Sequence, residues 1–298
     1  MTGFHVTAEI ASQPETWRRT AAVARVHADL LPATGARVAV VGCGTSWFVA
    51  QAYAARREEL GLGETDAFAG SEFPAGRRYD LVVAVTRSGT TTEIRELLAR
   101  VRGTQPTLAV VGDPGSPAVS EADHAVVLDF ADETSVVQTR FATSALGLLR
   151  AGLGDDLEAL ADAAEPAVAE PLPDTWVGRR QYVFLGRGPA VGIANEAALK
   201  MREASLAWAE SYPSMDYRHG PISVADADSV VFLLGEEVPG LADDVARTGA
   251  LAVRLDEDPQ VALVRLQRLA VANAEHHGLD PDAPRNLTRS VVLDPAAS

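Results

Sequence analysis

Among 298 residues there is a single cysteine, Cys43. That excludes an internal disulfide and any metal site built on several thiolates. Basic side chains are scarce beside acidic ones: 26 Lys and Arg against 41 Asp and Glu, a net charge of −15. A field of that sign repels nucleic acid and anionic membranes, so neither is expected as a partner. No apolar run reaches the length of a membrane span. Met1 to Gln13 lack the basic start and apolar middle of a secretory signal. These absences together lead us to expect a cytoplasmic protein. What remains is apolar enough to fold: 47% of the chain, sufficient for one large α/β unit or two ordinary domains. Any anionic ligand would have to be held by local donors, against the global charge.

One stretch supplies such donors. Leu81-Val82-Val83-Ala84-Val85 has no polar alternation and reads as a buried parallel strand. Ile94 to Val101 repeats its apolar residues every three to four positions, as a helix does. Between them lies Thr86-Arg87-Ser88-Gly89-Thr90-Thr91-Thr92-Glu93. Hydroxyls and a glycine therefore sit where a strand hands over to a helix, whose N-terminal N–H groups attract anions. Gly89 lets an anion approach the backbone, and Ser88, Thr90, Thr91 and Thr92 can donate hydroxyls. An ordinary helix cap is the plainer alternative, but a cap needs only one such residue.

The remaining chain alternates in the same way. A helix is predicted over 14–31, with Trp17, Val23, Val26 and Leu30 apolar, ended by Pro32 and Gly35. Arg37 to Gly42 is a strand, Gly42-Cys43-Gly44-Thr45-Ser46 a turn, and Trp47 to Leu60 a helix. Strands follow near 65–69, at 81–85, at Thr107 to Val111 and at Ala125 to Leu128, then a helix over 134–152. Strands alternating with helices imply a parallel sheet covered on both faces, with ligands at the carboxyl ends of strands where strand order reverses. Both hydroxyl-rich turns hold that kind of position.

Leu153 to Trp176 is acidic, alanine-rich and broken by Pro166, Pro171 and Pro173, which suits a connection with a helix of its own. Tyr182 to Gly188 then repeats the strand-Gly-x-Gly pattern of Val38 to Gly44, followed by strands at Ser229 to Leu234, Leu251 to Leu255 and Ser290 to Leu293. Two copies of one architecture are expected: residues 1–152, a linker at 153–178, and 179–298. Where the second copy should match 86–93 it reads Gly235-Glu236-Glu237-Val238-Pro239, whose carboxylates would repel a phosphate, leaving one anion site per chain. Neither Gly-x-Gly completes the third glycine of a dinucleotide site, so no nicotinamide cofactor is expected.

Residues 193–205 place Glu196, Lys200 and Glu203 on one helix face, which a solvated stripe of ion pairs would explain. Glu210 to Pro221 reads as a long polar loop ending in His219-Gly220-Pro221. A histidine and a glutamate near an anion-binding turn could form an acid–base pair.

Across essentially its whole length the chain resembles tandem sugar isomerase (SIS) domain proteins. It is similar to the isomerase half of glucosamine-6-phosphate synthase and to stand-alone phosphosugar isomerases and glucosamine-6-phosphate deaminases. The resemblance rests on ordered motifs: Cys43-Gly44-Thr45-Ser46, Arg87-Ser88-Gly89-Thr90-Thr91, Ser135-Val136-Val137-Gln138-Thr139-Arg140, Gly186-Arg187-Gly188, Leu199-Lys200-Met201-Arg202-Glu203, His219-Gly220-Pro221 and Pro284-Arg285-Asn286-Leu287-Thr288-Arg289-Ser290.

It implies two SIS domains, each a flavodoxin-like, three-layer α/β/α unit with a parallel sheet flanked by helices. It implies that Ser46, Ser88 and Thr91 hold a sugar phosphate, with Gly44, Thr45, Thr86, Arg87, Gly89, Thr90, Gln138 and Arg289 around the ligand. Glu203 matches a carboxylate that moves a proton between C1 and C2. His219 matches a ring-opening histidine supplied by the neighbouring subunit, which implies a homodimer with shared sites. Lys200 borders the same site, and neither metal nor cofactor is implied. Arg289 stands where the synthase has an imine-forming lysine, and a guanidinium stays protonated and cannot be that nucleophile. We expect no amidotransferase segment ahead of residue 1, which would disfavour the synthase reaction. The expected activity is conversion of glucosamine 6-phosphate to fructose 6-phosphate and ammonia. Dehydration of N-acetylglucosamine 6-phosphate, plain aldose–ketose isomerisation and a non-catalytic phosphosugar sensor are the alternatives.

Overall fold

Runs of Val, Ala and Leu leave a strand no polar side to turn to water, so such strands must be covered on both faces. The computed structural model describes residues 3–74 and 76–293 and places these runs in two separate parallel sheets. In chain order the first elements are helices α1 (His5–Ala11) and α2 (Gln13–Val26), strand β1 (Val38–Gly42), α3 (Thr45–Glu59), β2 (Thr65–Ala69), β3 (Leu81–Thr86), α4 (Thr92–Val101), β4 (Thr107–Val111), α5 (Pro117–Glu121), β5 (His124–Val127) and α6 (Arg140–Ala151). They are followed by α7 (Leu157–Ala169), β6 (Gln181–Gly186), α8 (Ala190–Ser205), β7 (Trp208–Pro213), β8 (Ser229–Leu234), α9 (Leu241–Arg247), β9 (Leu251–Leu255) and α10 (Pro259–His276).

The first sheet has the order β2-β1-β3-β4-β5, all parallel. On one face Ala39, Val41, Val82, Ala84, Ala109 and Val111 meet Ile94, Leu97, Leu98 and Val101 of α4. The alternate residues Val40, Val83, Val85 and Val110 are equally buried, and α3 packs on β1 and on α6. The order of the strands reverses between β1 and β3, which are parallel neighbours. A crevice opens at the carboxyl ends of two such strands because their following helices go to opposite faces. Both hydroxyl-rich turns lie there.

The second sheet repeats the pattern with one strand fewer, β7-β6-β8-β9, again all parallel. Val183, Leu185 and Val231 pack with Leu241 and Val245 of α9, while α8 lies on β6 and α10. Phe184 and Phe232 stack at 5.2 Å between ring centroids.

The chain segregates into two compact units, residues 15–158 with 288–298, and residues 1–14 with 159–287. This differs from a simple succession of halves, because each end of the chain belongs with the unit more distant from it in sequence. The outer limits of the expected division, residues 1 and 298, lie outside the described residues. Half of the expected 153–178 linker is α7, which contains Pro166.

Four local expectations need correction. The helix expected over 14–31 is α2, which ends at Val26 and is followed by a 3-10 turn at Ala28–Leu30; Val26 is 73% exposed, since the buried side of α2 is Trp17, Thr20, Ala21 and Ala24. Small residues drew that face in, where hydropathy pointed elsewhere. The helix expected over 134–152 starts only at Arg140. The polar loop from Glu210 begins as the edge strand β7. Ser290 to Leu293 forms no strand. No helix among the described residues is long and apolar enough to cross a membrane.

Candidate functional site

Glycines make the two turns of the first unit possible. Gly42 ends β1 so close to α3 that a Cβ there would stand 2.4 Å from the carbonyl carbon of Ser46. After β3, Gly89 has φ +61°, and a Cβ would lie 2.1 Å from Ser116 Oγ. Only glycine satisfies both demands. Between them the turns set Gly44, Thr45 and Ser46 at the head of α3, and Ser88 to Thr91 at the head of α4.

The second turn is a small hydroxyl network. Thr86 Oγ1 accepts from Gly89 N–H at 3.3 Å, and Ser88 Oγ accepts from Thr90 N–H at 3.3 Å. Thr90 Oγ1 lies 3.0 Å from Ser88 Oγ and 2.8 Å from Ser290 Oγ. Thr91 Oγ1 is 3.5 Å from Ser290 Oγ. Ser290 belongs to the C-terminal segment, which continues across the first turn of α4. Thr92 N–H donates to Val291 O at 3.2 Å, and Leu293 N–H to Thr92 Oγ1 at 2.9 Å. Only the resemblance, through Arg289, brought this segment near the turn; no local pattern in the residues did.

Arg87 lies elsewhere than expected. It is 2% exposed and points away from solvent into the loop before α6. Its guanidinium donates to Ser135 O at 2.9 Å and Val136 O at 3.0 Å, and stands 3.5 Å from the Glu133 carboxylate. Burial lowers its pKa from the ordinary arginine value, with Glu133 opposing the shift. Its place is structural: it fixes the 133–137 loop. Glu133, which sequence reasoning missed, is 2% exposed and accepts from Thr139 N–H, Thr139 Oγ1–H and Arg140 N–H at 2.5, 2.7 and 2.8 Å. Glu133 lies seven residues before the helix it caps, a spacing that no local pattern marks. Gln138, between these anchors, has a buried Oε1 without a hydrogen-bond partner.

Arg289 is engaged as well. Its guanidinium grips Asp132 through both carboxylate oxygens at 2.6 and 2.7 Å and also donates to Glu133 O. Its own carbonyl accepts from Arg87 at 3.2 Å.

In the second unit, α8 carries Glu196, Lys200 and Glu203 in one row. The expected solvated stripe is not what forms. Lys200 is 1% exposed and Glu196 0%, with Lys200 Nζ 3.4 Å from Glu196 Oε1. Lys200 also pairs with Glu203, whose side chain keeps 19% of its exposure. A buried ammonium between two carboxylates thus fixes the one that solvent reaches. His219 ends a short 3-10 turn, Asp216–His219, and is exposed. Gly220 follows with φ +140°, and Arg218 anchors the turn on Asp244 at 2.5 Å. After β8, Glu236 and Glu237 are neutralised by Arg187 at 3.1 Å and Arg254 at 2.6 Å.

Residues 33–150 match the SIS domain model. The chain is 29% identical to glutamine–fructose-6-phosphate aminotransferase [isomerizing] of Escherichia coli strain K12, over 90% of its own length and 53% of that protein. The corresponding Shewanella oneidensis protein is 28% identical over 86% of the chain and 52% of its own length. The chain therefore spans about half the length of these curated relatives. Among solved structures, glucosamine-6-phosphate deaminase from Thermotoga maritima superposes with TM-score 0.79 at 22% identity, covering 97% of this chain and 100% of that one. The C-terminal domain of glucosamine-fructose-6-phosphate aminotransferase from Francisella tularensis gives 0.81 at 22% identity, covering 95% and 99%. Residues 33–150 thus carry the match to the SIS domain, and the likeness in fold extends over nearly the whole chain.

Proposed function

We propose that the protein is a phosphosugar isomerase of the deaminating kind, acting on an amino sugar 6-phosphate. The observation that carries this reading is the pair of hydroxyl-lined turns at the carboxyl ends of β1 and β3, adjacent strands at the point where sheet order reverses. The names of the relatives, an isomerising aminotransferase and a deaminase, favour the same substrate class.

In this reading Ser46, Ser88 and Thr91 hold the phosphate, together with main-chain N–H groups. Among the described residues those of Ser88 and Thr91 have no hydrogen-bond acceptor. Fixing the phosphate end of a sugar presents its reacting carbons in register. His219 opens the pyranose ring, contributed by the neighbouring subunit of a homodimer. Glu203, positioned by Lys200, removes the C2 proton beside the aldehyde and returns it to C1. The amine at C2 becomes an imine, and water replaces its nitrogen, releasing ammonia and a 2-ketose. Arg289 forms no imine in this reading, because a guanidinium is not an amine nucleophile and this one is bound to Asp132.

The test is incubation with glucosamine 6-phosphate, fructose 6-phosphate and N-acetylglucosamine 6-phosphate, following ammonia, ketose and ultraviolet absorbance. Ammonia with ketose from the first substrate is expected, and Glu203→Gln is expected to abolish it while ligand binding persists. Ketose without ammonia would mark an aldose–ketose isomerase, and absorbance from the N-acetyl sugar a dehydratase. Full turnover by Glu203→Gln would remove Glu203 from the mechanism.

A further inference from the structure

The segment that crosses the head of α4 takes one donor from the turn and supplies another. Thr92 N–H is occupied by Val291 O, and Thr92 Oγ1 by Leu293 N–H. In exchange the Ser290 hydroxyl stands 2.8 Å from Thr90 Oγ1 and 3.5 Å from Thr91 Oγ1. Ser88, Thr90, Ser290 and Thr91 form an open chain of hydroxyls. Each hydroxyl owns one proton, and an open chain always has one proton more than it has links. That surplus proton is available to an anion, and charge-assisted hydrogen bonds are stronger than the neutral ones they replace.

Ser290 is held there from its neighbour. Arg289 is clamped through its side chain by both oxygens of Asp132 and by Glu133 O, and through its carbonyl by Arg87. Arg87 is itself 2% exposed and bound to the 135–136 carbonyls. An isolated surface pair of this exposure contributes little. Here a bidentate grip is joined to a buried guanidinium one step away, and it leaves the next residue little freedom. Arg289 also neutralises Asp132, whose charge would otherwise oppose an anion nearby.

We propose that Ser290 is a ligand-binding residue of the anion turn and that Asp132 positions it, acting through Arg289. The proposal rests on the reading of 88–91 as the phosphate site, and the experiment separates the two. Full-length protein is titrated calorimetrically with inorganic phosphate and with glucosamine 6-phosphate, as wild type and as Ser88→Ala, Ser290→Ala, Asp132→Asn and Asp132→Glu. Trypsin cleavage after Arg289 is timed by mass spectrometry in each. Ser88→Ala and Ser290→Ala should each weaken binding about tenfold. Asp132→Asn should weaken it similarly and speed cleavage after Arg289, with Asp132→Glu restoring most of both. Loss in Ser88→Ala with unchanged affinity in Ser290→Ala would overturn the proposal and leave the phosphate site standing. Unchanged affinity in Ser88→Ala would overturn both. Faster cleavage in Asp132→Asn without weaker binding would remove Asp132 from any positioning role.

Discussion

Gly89 shows how much one position can demand. Its φ of +61° alone costs an L-residue about 1–2 kcal/mol. A Cβ would also lie 2.1 Å from Ser116 Oγ and 2.5 Å from Ser116 Cβ, so the turn or the loop below it must move. Gly103 offers an internal comparison, with φ +70° and nothing within 4 Å of its Cβ position. Gly103→Ala should cost about 1 kcal/mol from backbone strain alone. Gly89→Ala should cost about 2–4 kcal/mol through strain and overpacking together, and should weaken phosphate binding. Urea unfolding of both variants checks the difference, and equal losses would mean that Ser116 yields freely. The importance of Gly89 was legible in the sequence, because glycine between hydroxyls at a strand–helix junction has a local cause. The burial of Arg87 was not. An arginine beside that glycine faces the ligand or the interior according to a loop some 50 residues away, and no local pattern records the choice.

At the scale of elements, Asp155, just after α6, ties α6 to α3. It accepts from Arg150 at 2.7 Å and from Arg56 of α3 at 3.1 Å. Burial acts to raise its pKa, but the two arginine hydrogen bonds outweigh it and hold the carboxyl below the usual value. A depressed folded pKa stabilises the fold above the unfolded pKa, and that stabilisation is lost as pH falls through the folded one. Asp155→Asn should therefore cost about 1–2 kcal/mol at neutral pH. The gap from wild type should stay constant down to about pH 5 and close below about pH 4. Denaturant unfolding across that range checks it, and a gap independent of pH would assign the effect to packing. Elements themselves were the most legible level: β2 and β4 lie where the alternation of strand and helix put them. Failures fell where a short-range pattern met a long-range partner. Strand β7 looked like a loop because its Glu210, Ser211 and Tyr212 are only half buried, as an edge strand allows. Ser290 to Leu293 looked like a strand because of its short run of apolar residues, yet Val291, Val292 and Leu293 remain more than half exposed.

For the whole molecule, the proposed dimer makes a prediction that neither unit makes alone. If Glu203 works with His219 of a neighbouring subunit, Glu203→Gln and His219→Ala chains are each inactive as homodimers. A mixed dimer then has one site with both residues intact. Co-expression with random pairing should recover about a quarter of wild-type specific activity. No recovery would place both residues in one chain's site or remove the dimer from the mechanism.

The interleaving of the chain ends has a consequence for biosynthesis. Residues 288–298 belong with residues 15–158, yet they leave the ribosome only after 159–287 have been made. A nascent chain can build the first sheet early, but its hydroxyl turn lacks Ser290 until translation reaches that codon. In the proposed site, competence for ligand is then acquired late in synthesis, so a stop codon just ahead of residue 289 would leave both sheets encoded and the turn without Ser290.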